Sequence, residues 1–186
     1  MIIIYLLVFF SLVGIFYAYF VYPVLLTVLS SLMPAKAKQQ QNENPIACLT
    51  IVIAAKNEAR VIETKLENTL HAVDKLQATS DIEVQIIVAS DGSTDATHEI
   101  VTAYRNLGVE LSALPQSMGK EHSQKAAIEL ARGDVIFFTD SKIKLEEDGL
   151  INLLKYFSDP TVGAVSSVDI VEGDMTTGSG EGTYVR

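Results

Sequence analysis

Two aspartates stand at the ends of apolar runs in this chain. In Val84–Thr97, VQIIVASDGSTDAT, a β-branched stretch stops at Asp91 and gives way to glycine and hydroxyl residues. In Asp134–Asp140, DVIFFTD, a second apolar stretch stops at Asp140. Open α/β sheets bind ligands outside the carboxyl ends of their strands. A carboxylate at that edge can accept from a base ring N–H or a ribose hydroxyl. It can also ligate a hard divalent cation that holds substrate phosphates. Two such aspartates on one rim point to a site for a nucleotide and its metal.

Each surrounding segment also has a plainer structural reading. In Asp91–Asp95, Gly92 permits a tight turn and Ser93 or Asp95 can cap the following helix. Capping leaves Asp91 unexplained. In Ala54-Ala55-Lys56-Asn57-Glu58, Asn57 can cap a helix and Glu58 can complement its dipole. Gly119-Lys120 is not a P-loop, because Leu114 replaces the required glycine and Glu121 replaces Ser or Thr. Lys120 can approach a diphosphate or lie on the surface. In Thr139-Asp140-Ser141-Lys142 the aspartate is either a cation ligand or a loop residue.

The elements that must position these residues follow from periodicity. Cys48–Ala55 predicts a strand, and Asn57–Leu76 a helix with Ile62, Leu66, Leu70 and Val73 on one face. Val84–Ala89 predicts the next strand. Asp95–Leu107 predicts a helix with Ile100, Val101, Tyr104 and Leu107 on one face, stopped by Gly108. Strand Val109–Leu114, helix Ser123–Arg132 ended by Gly133, strand Val135–Thr139, helix Asp148–Phe157 and strand Val162–Val168 complete the pattern. Strands alternating with helices imply an α/β fold with a parallel, helix-covered sheet. The tail, Glu172–Arg186, has no clear periodicity.

No Asp, Glu, Lys, Arg or His occurs from Met1 to Ala35, so the net charge of −9 belongs to the rest of the chain. That acidity argues against a nucleic-acid partner. Met1–Met33 is longer and more apolar than a core helix and reads as one transmembrane anchor (1–33). Ala35-Lys36-Ala37 resembles a signal-peptidase site, but a basic leader is absent and the apolar run is too long. Lys36 and Lys38 after the span place the following domain in the cytoplasm by the positive-inside rule, with a single membrane pass expected in this chain. Residues 34–47 read as a linker and 48–186 as the ligand-binding part. Cys48 reads as a small core residue, and His71 and His98 as helix-surface residues.

The order of four segments carries a resemblance. IVIAAKNEA, VASDGSTDAT, MGKEHSQKAAIELARGD and VIFFTDSK resemble family 2 glycosyltransferases of the GT-A fold, over about residues 48 to 170. The resemblance is closest to membrane-bound members that build polysaccharides or glycolipids. It implies a Rossmann-like, mostly parallel sheet with helices on both faces, preceded by the membrane helix. It also implies inverting, metal-assisted transfer from a nucleotide sugar, usually UDP-linked, to a polysaccharide or lipid-linked acceptor at the bilayer. Asp91 would contact the base, Ala55 and Glu58 would line the nucleoside pocket, and Lys120 would lie near the nucleotide. Asp140 would help hold Mg²⁺ or Mn²⁺ on the diphosphate.

Several positions depart from the family pattern. Lys142 stands at the second acidic position of the DxD-like motif, Ser90 where many relatives have aspartate, and Lys125 where many have Asn. The family's general base and carboxyl-terminal half are expected beyond Arg186, so the catalytic base is unassigned. A non-catalytic or truncated membrane-tethered nucleotide-sugar binder is the alternative. A nucleotidyltransferase fits less well, because no glycine-rich, arginine-bearing loop follows the first strand.

Overall fold

The computed structural model describes residues 1–32 and 46–167. Two compact units divide the chain, and each stands by itself. The first is an apolar helix: α1 (Ile2–Phe16), a π-helical turn (Tyr17–Val21) and α2 (Tyr22–Leu32). Pro23 lacks an N–H, and its ring clashes with the carbonyl four residues back in a regular helix. The wider turn, closed by Tyr22 N–H to Tyr17 O, precedes that proline. Ile2–Leu29 has 28 residues, a mean hydropathy of 2.4 and no burial, so it is long and apolar enough to cross a bilayer.

The second unit is built on four parallel strands: β1 (Cys48–Ala55), β2 (Glu83–Ser90), β3 (Val109–Ala113) and β4 (Val135–Asp140), in the order β3-β2-β1-β4. The intervening helices are α3 (Ile62–Gln77), α4 (Thr97–Ala103), α5 (Lys120–Ile128) and α6 (Gly149–Leu154). Central β1 is buried from Leu49 to Ala55, as a strand covered on both faces must be. Leu49, Ile51 and Ile53 pack with Ile62, Leu66 and Leu150 on one face. Val52 packs with Ile87, Ala89 and Ala127 of α5 on the other.

Local contacts move several predicted boundaries. The first soluble helix begins at Ile62 rather than Asn57, because residues 57–59 are tied to the loop after β2. The second shrinks to Thr97–Ala103, and Arg105–Leu107 forms a 3₁₀ turn. That change of period takes Leu107 off the apolar face and leaves it 60% exposed. The third starts early, at Lys120 behind Gly119, and stops at Ile128 before Gly133. The fourth is α6 followed by a 3₁₀ turn, Lys155–Ser158. Residues 162–167, expected as a fifth strand, pair with no strand and have no regular structure. Val168, Met33, linker residues 34–45 and the tail 172–186 lie outside the described residues.

Candidate functional site

A cleft of about 520 Å³ opens at the carboxyl rim of the sheet. Its lining includes Ala55, Glu58, Asp91, Lys120 and Asp140, all five of the residues singled out in the sequence, together with Lys142. Strand register explains the convergence. Ala55 of β1 stands beside Ser90 of β2, one residue before Asp91, and Ala54 stands beside Asp140 of β4. A larger hollow of about 630 Å³ beside β3 contains none of these five residues.

The rim is laced together by its own side chains. Asn57, at φ 54°, accepts from the Thr94 N–H through Oδ1 at 2.8 Å, and its own N–H donates to Ser93 Oγ at 3.0 Å. The Glu58 N–H donates to Thr97 Oγ1 at 2.9 Å and the Ala59 N–H to Asp95 Oδ2 at 3.1 Å. Asn57 therefore bridges two loops instead of capping α3, whose amino-terminus has no side-chain cap. Asp95 accepts from the Thr97 N–H at 3.0 Å and from the Thr97 hydroxyl, so it serves both the α4 entry and the neighbouring loop.

Asp91 is tied to the segment before α5. Its Oδ1 accepts from the Met118 N–H at 2.6 Å and the Gly119 N–H at 2.9 Å. Its Oδ2 accepts from the Ser117 hydroxyl at 2.8 Å and lies 3.5 Å from Lys56 Nζ. A carboxylate has about four acceptor positions; three of them take hydrogen bonds here, and the Lys56 ammonium, which donates to Ser117 Oγ at 2.7 Å, adds an ion pair. Hydrogen bonds from Met118, then Ser117 and Gly119, hold its pKa below the usual carboxylate range against the opposing effect of burial. Gly92, at φ 61°, seats the same segment. A Cβ there would lie 2.4 Å from Ser117 N. Asp91 and Gly92 thus fix the approach to Gly119 and Lys120.

Every carboxylate lining the cleft faces a lysine. Lys120 Nζ lies 2.6 Å from Asp140, Lys142 Nζ 3.3 Å from Glu58, and Lys56 Nζ 3.5 Å from Asp91. The lysine side chains are more than half exposed. The Lys120–Asp140 pair is about half exposed on both sides; such a pair contributes at most about 1 kcal/mol, so a ligand can exchange it at little cost.

Beneath the rim lies Lys65, 3% exposed on α3. Its ammonium donates to Thr139 Oγ1 at 3.0 Å and to the Ile143 carbonyl, bracketing the 140–143 turn. Burial lowers its pKa to about 8, and the nearby Asp140 charge opposes that shift.

Sequence reasoning missed Lys56, Lys65 and Ser117. The available signal for Lys65 was a charge on the buried face of α3, one residue before Leu66. His98, expected on the surface, is half-buried, with Nε2 2.8 Å from Ser90 Oγ. Cys48 is a half-buried free thiol whose pKa is raised chiefly by burial.

A bound divalent cation fits this donor set poorly. Among the described residues no group of three or more His, Cys, Asp or Glu could hold a metal ion. Asp140 offers one carboxylate, already paired with Lys120, and position 142 brings an ammonium group to the same cleft.

The parallel sheet with helices on both faces and a polar cleft at its carboxyl rim defines a Rossmann-like α/β protein of the GT-A class. A mannosyltransferase from Pyrobaculum calidifontis, solved in complex with GDP-Man and Mn²⁺, superposes with a TM-score of 0.65 at 26% identity, over 84% of this chain and 46% of that one. The description of glycosyl transferase family 2 matches residues 50–181, and the chain belongs to that family. A dolichyl-phosphate beta-glucosyltransferase from Trichomonas vaginalis is 33% identical over 95 residues, covering 50% of this chain and 28% of the relative. The succinoglycan biosynthesis protein ExoO of Rhizobium meliloti is 31% identical over 127 residues, covering 68% of this chain and 34% of the relative. The chain thus spans about a third of the length of these curated relatives.

Proposed function

We propose that this chain forms the donor-binding part of a membrane-bound glycosyltransferase. The reaction is inverting transfer of a sugar from a nucleotide-activated donor, UDP-linked, to a polysaccharide or lipid-linked acceptor. The apolar helix anchors the chain in the bilayer, with the α/β unit on the cytoplasmic side. One observation carries the reading: five residues singled out by chemistry or by the family resemblance, from four separate chain segments, line one cleft at the sheet edge where α/β proteins bind ligands.

Within that cleft Ala55 offers a small wall for the nucleoside and Glu58 a hydroxyl acceptor. Asp91 holds residues 117–119, and its Oδ2, with one hydrogen bond from Ser117 and Lys56 at 3.5 Å, keeps capacity to accept from the base. Lys120 begins α5, and a helix amino-terminus favours a diphosphate there. For Mg²⁺ or Mn²⁺ the candidate ligand is Asp140, whose carboxylate is paired with Lys120. The acceptor's proton needs a general base within hydrogen-bond reach, a role assigned to no described residue.

Calorimetric titration of the full chain in detergent micelles with UDP, GDP and uridine tests the reading. We expect UDP to bind more tightly than GDP, and both diphosphates more tightly than uridine. Lys120→Ala should weaken UDP binding about tenfold, a charge-assisted contact of roughly 1.4 kcal/mol. Equal affinity for uridine and UDP, or an unaffected Lys120→Ala variant, contradicts the assignment. Tighter binding of GDP would retain the cleft but overturn the UDP assignment.

A further inference from the structure

We propose that Lys120 and Lys142 neutralise the donor diphosphate in place of a carboxylate-held divalent cation, so that nucleotide binding by this chain is metal-independent. The inference rests on the reading of the cleft as the donor site.

The charge pattern carries it. Three lysines and three carboxylates line the cleft in pairs, so a cation must compete with an ammonium group for each carboxylate there. Mg²⁺ sites of this kind use one or two carboxylates together with substrate phosphates. Here the single candidate, Asp140, has one ammonium at 2.6 Å, and Lys142 stands two residues along the chain in the same lining. A divalent cation entering that position meets like charges. An incoming diphosphate meets opposite ones.

The geometry also suits exchange. The lysine side chains are 53–72% exposed, whereas the Asp91 and Glu58 side chains are 6% and 19% exposed. The Lys120 and Lys142 ammonium groups can thus swing onto phosphate while those two carboxylates stay in place. Asp91 retains its Ser117, Met118 and Gly119 donors when Lys56 leaves. The turn that carries Lys142 is fixed from two sides. Its Ile143 N–H donates to the Asp140 carbonyl at 3.1 Å, and Lys65 holds the Ile143 carbonyl and Thr139 from below.

The test is a titration of the full chain in detergent micelles with UDP and GDP, in EDTA and in Mn²⁺. Native affinity should change less than about twofold between the two conditions. Lys142→Asp, which supplies a carboxylate and removes the ammonium, should bind about tenfold more weakly in EDTA and regain affinity with Mn²⁺. Lys142→Gln removes charge without adding a strong ligand and should weaken binding alike in both, with circular dichroism reporting the fold of each variant. A native affinity that rises about tenfold or more with Mn²⁺ overturns the lysine assignment and leaves the donor-site reading intact. Failure of the folded native chain to bind either nucleotide in either condition overturns the donor-site reading, and this inference with it.

Discussion

Single residues in this cleft act mostly through other residues. Asp91 is the clearest case, because it accepts three hydrogen bonds from residues 117–119 and pairs with Lys56. Asp91→Ala leaves the Met118 and Gly119 N–H groups without their acceptor. It should lower stability by about 1–3 kcal/mol and weaken UDP binding through a displaced Lys120. Chemical denaturation and calorimetry on the same variant would register both effects, and a loss of binding with unchanged stability would argue for direct base contact instead. Lys65 gives a pH dependence of known sign. Below pH 8 folded and unfolded chains both carry its proton, and the burial penalty is present in full. Between about pH 8 and 10.5 the folded amine is neutral while the unfolded one stays charged, so stability rises with pH. Lys65→Met lacks this titration, and the stability of native protein relative to that variant should increase by about 2 kcal/mol from pH 7 to pH 10. A constant difference would show that the buried amine does not titrate there. The place of Asp91 and Asp140 at the cleft rim was legible because each ends an apolar strand. The donors that hold Asp91 were not, since Ser117 to Gly119 meet it only after the chain has crossed β3.

Elements are set by their periodicity and trimmed by their contacts. Strands β1 to β4 match the apolar runs within a residue or so; β1 and β2 are β-branched and largely buried on both faces, which leaves few alternatives, whereas β3 and β4 at the sheet edges are only partly buried. Helix starts were less legible. Asn57 reads as a cap by residue type, but a partner loop 37 residues away claims its side chain. Gly133 shows the same limit. It was read as a helix stop, yet α5 has already ended, and this glycine lies against β1. Its N–H donates to Thr50 Oγ1 at 2.9 Å, and a Cβ would fall 2.4 Å from Thr50 N. Gly133→Ala should therefore cost about 1–3 kcal/mol, as overpacking does. A denaturation midpoint equal to that of the native chain would mean that β1 and the 130–134 connection can separate freely.

For the whole molecule, composition already divided an uncharged amino-terminal stretch from an acidic remainder. The helix Ile2–Leu29 is far longer than the roughly 20 residues a bilayer requires. The full chain should stay with membranes after alkaline carbonate extraction, whereas a variant lacking residues 2–29 should appear in the supernatant. Release of the full chain would show that the helix does not span. The sequence could not reveal how charge is distributed around the cleft, because Lys56, Lys120 and Lys142 are brought together only by the sheet. Their pairing has a kinetic consequence. A mouth with no excess of either sign, in a chain of net charge −9, exerts no long-range pull on an anionic nucleotide. Beyond a Debye length of about 8 Å the body's repulsion is screened, so encounters run at an unsteered diffusive rate. Discrimination between nucleotides must then reside in how long each one stays, not in how often it arrives.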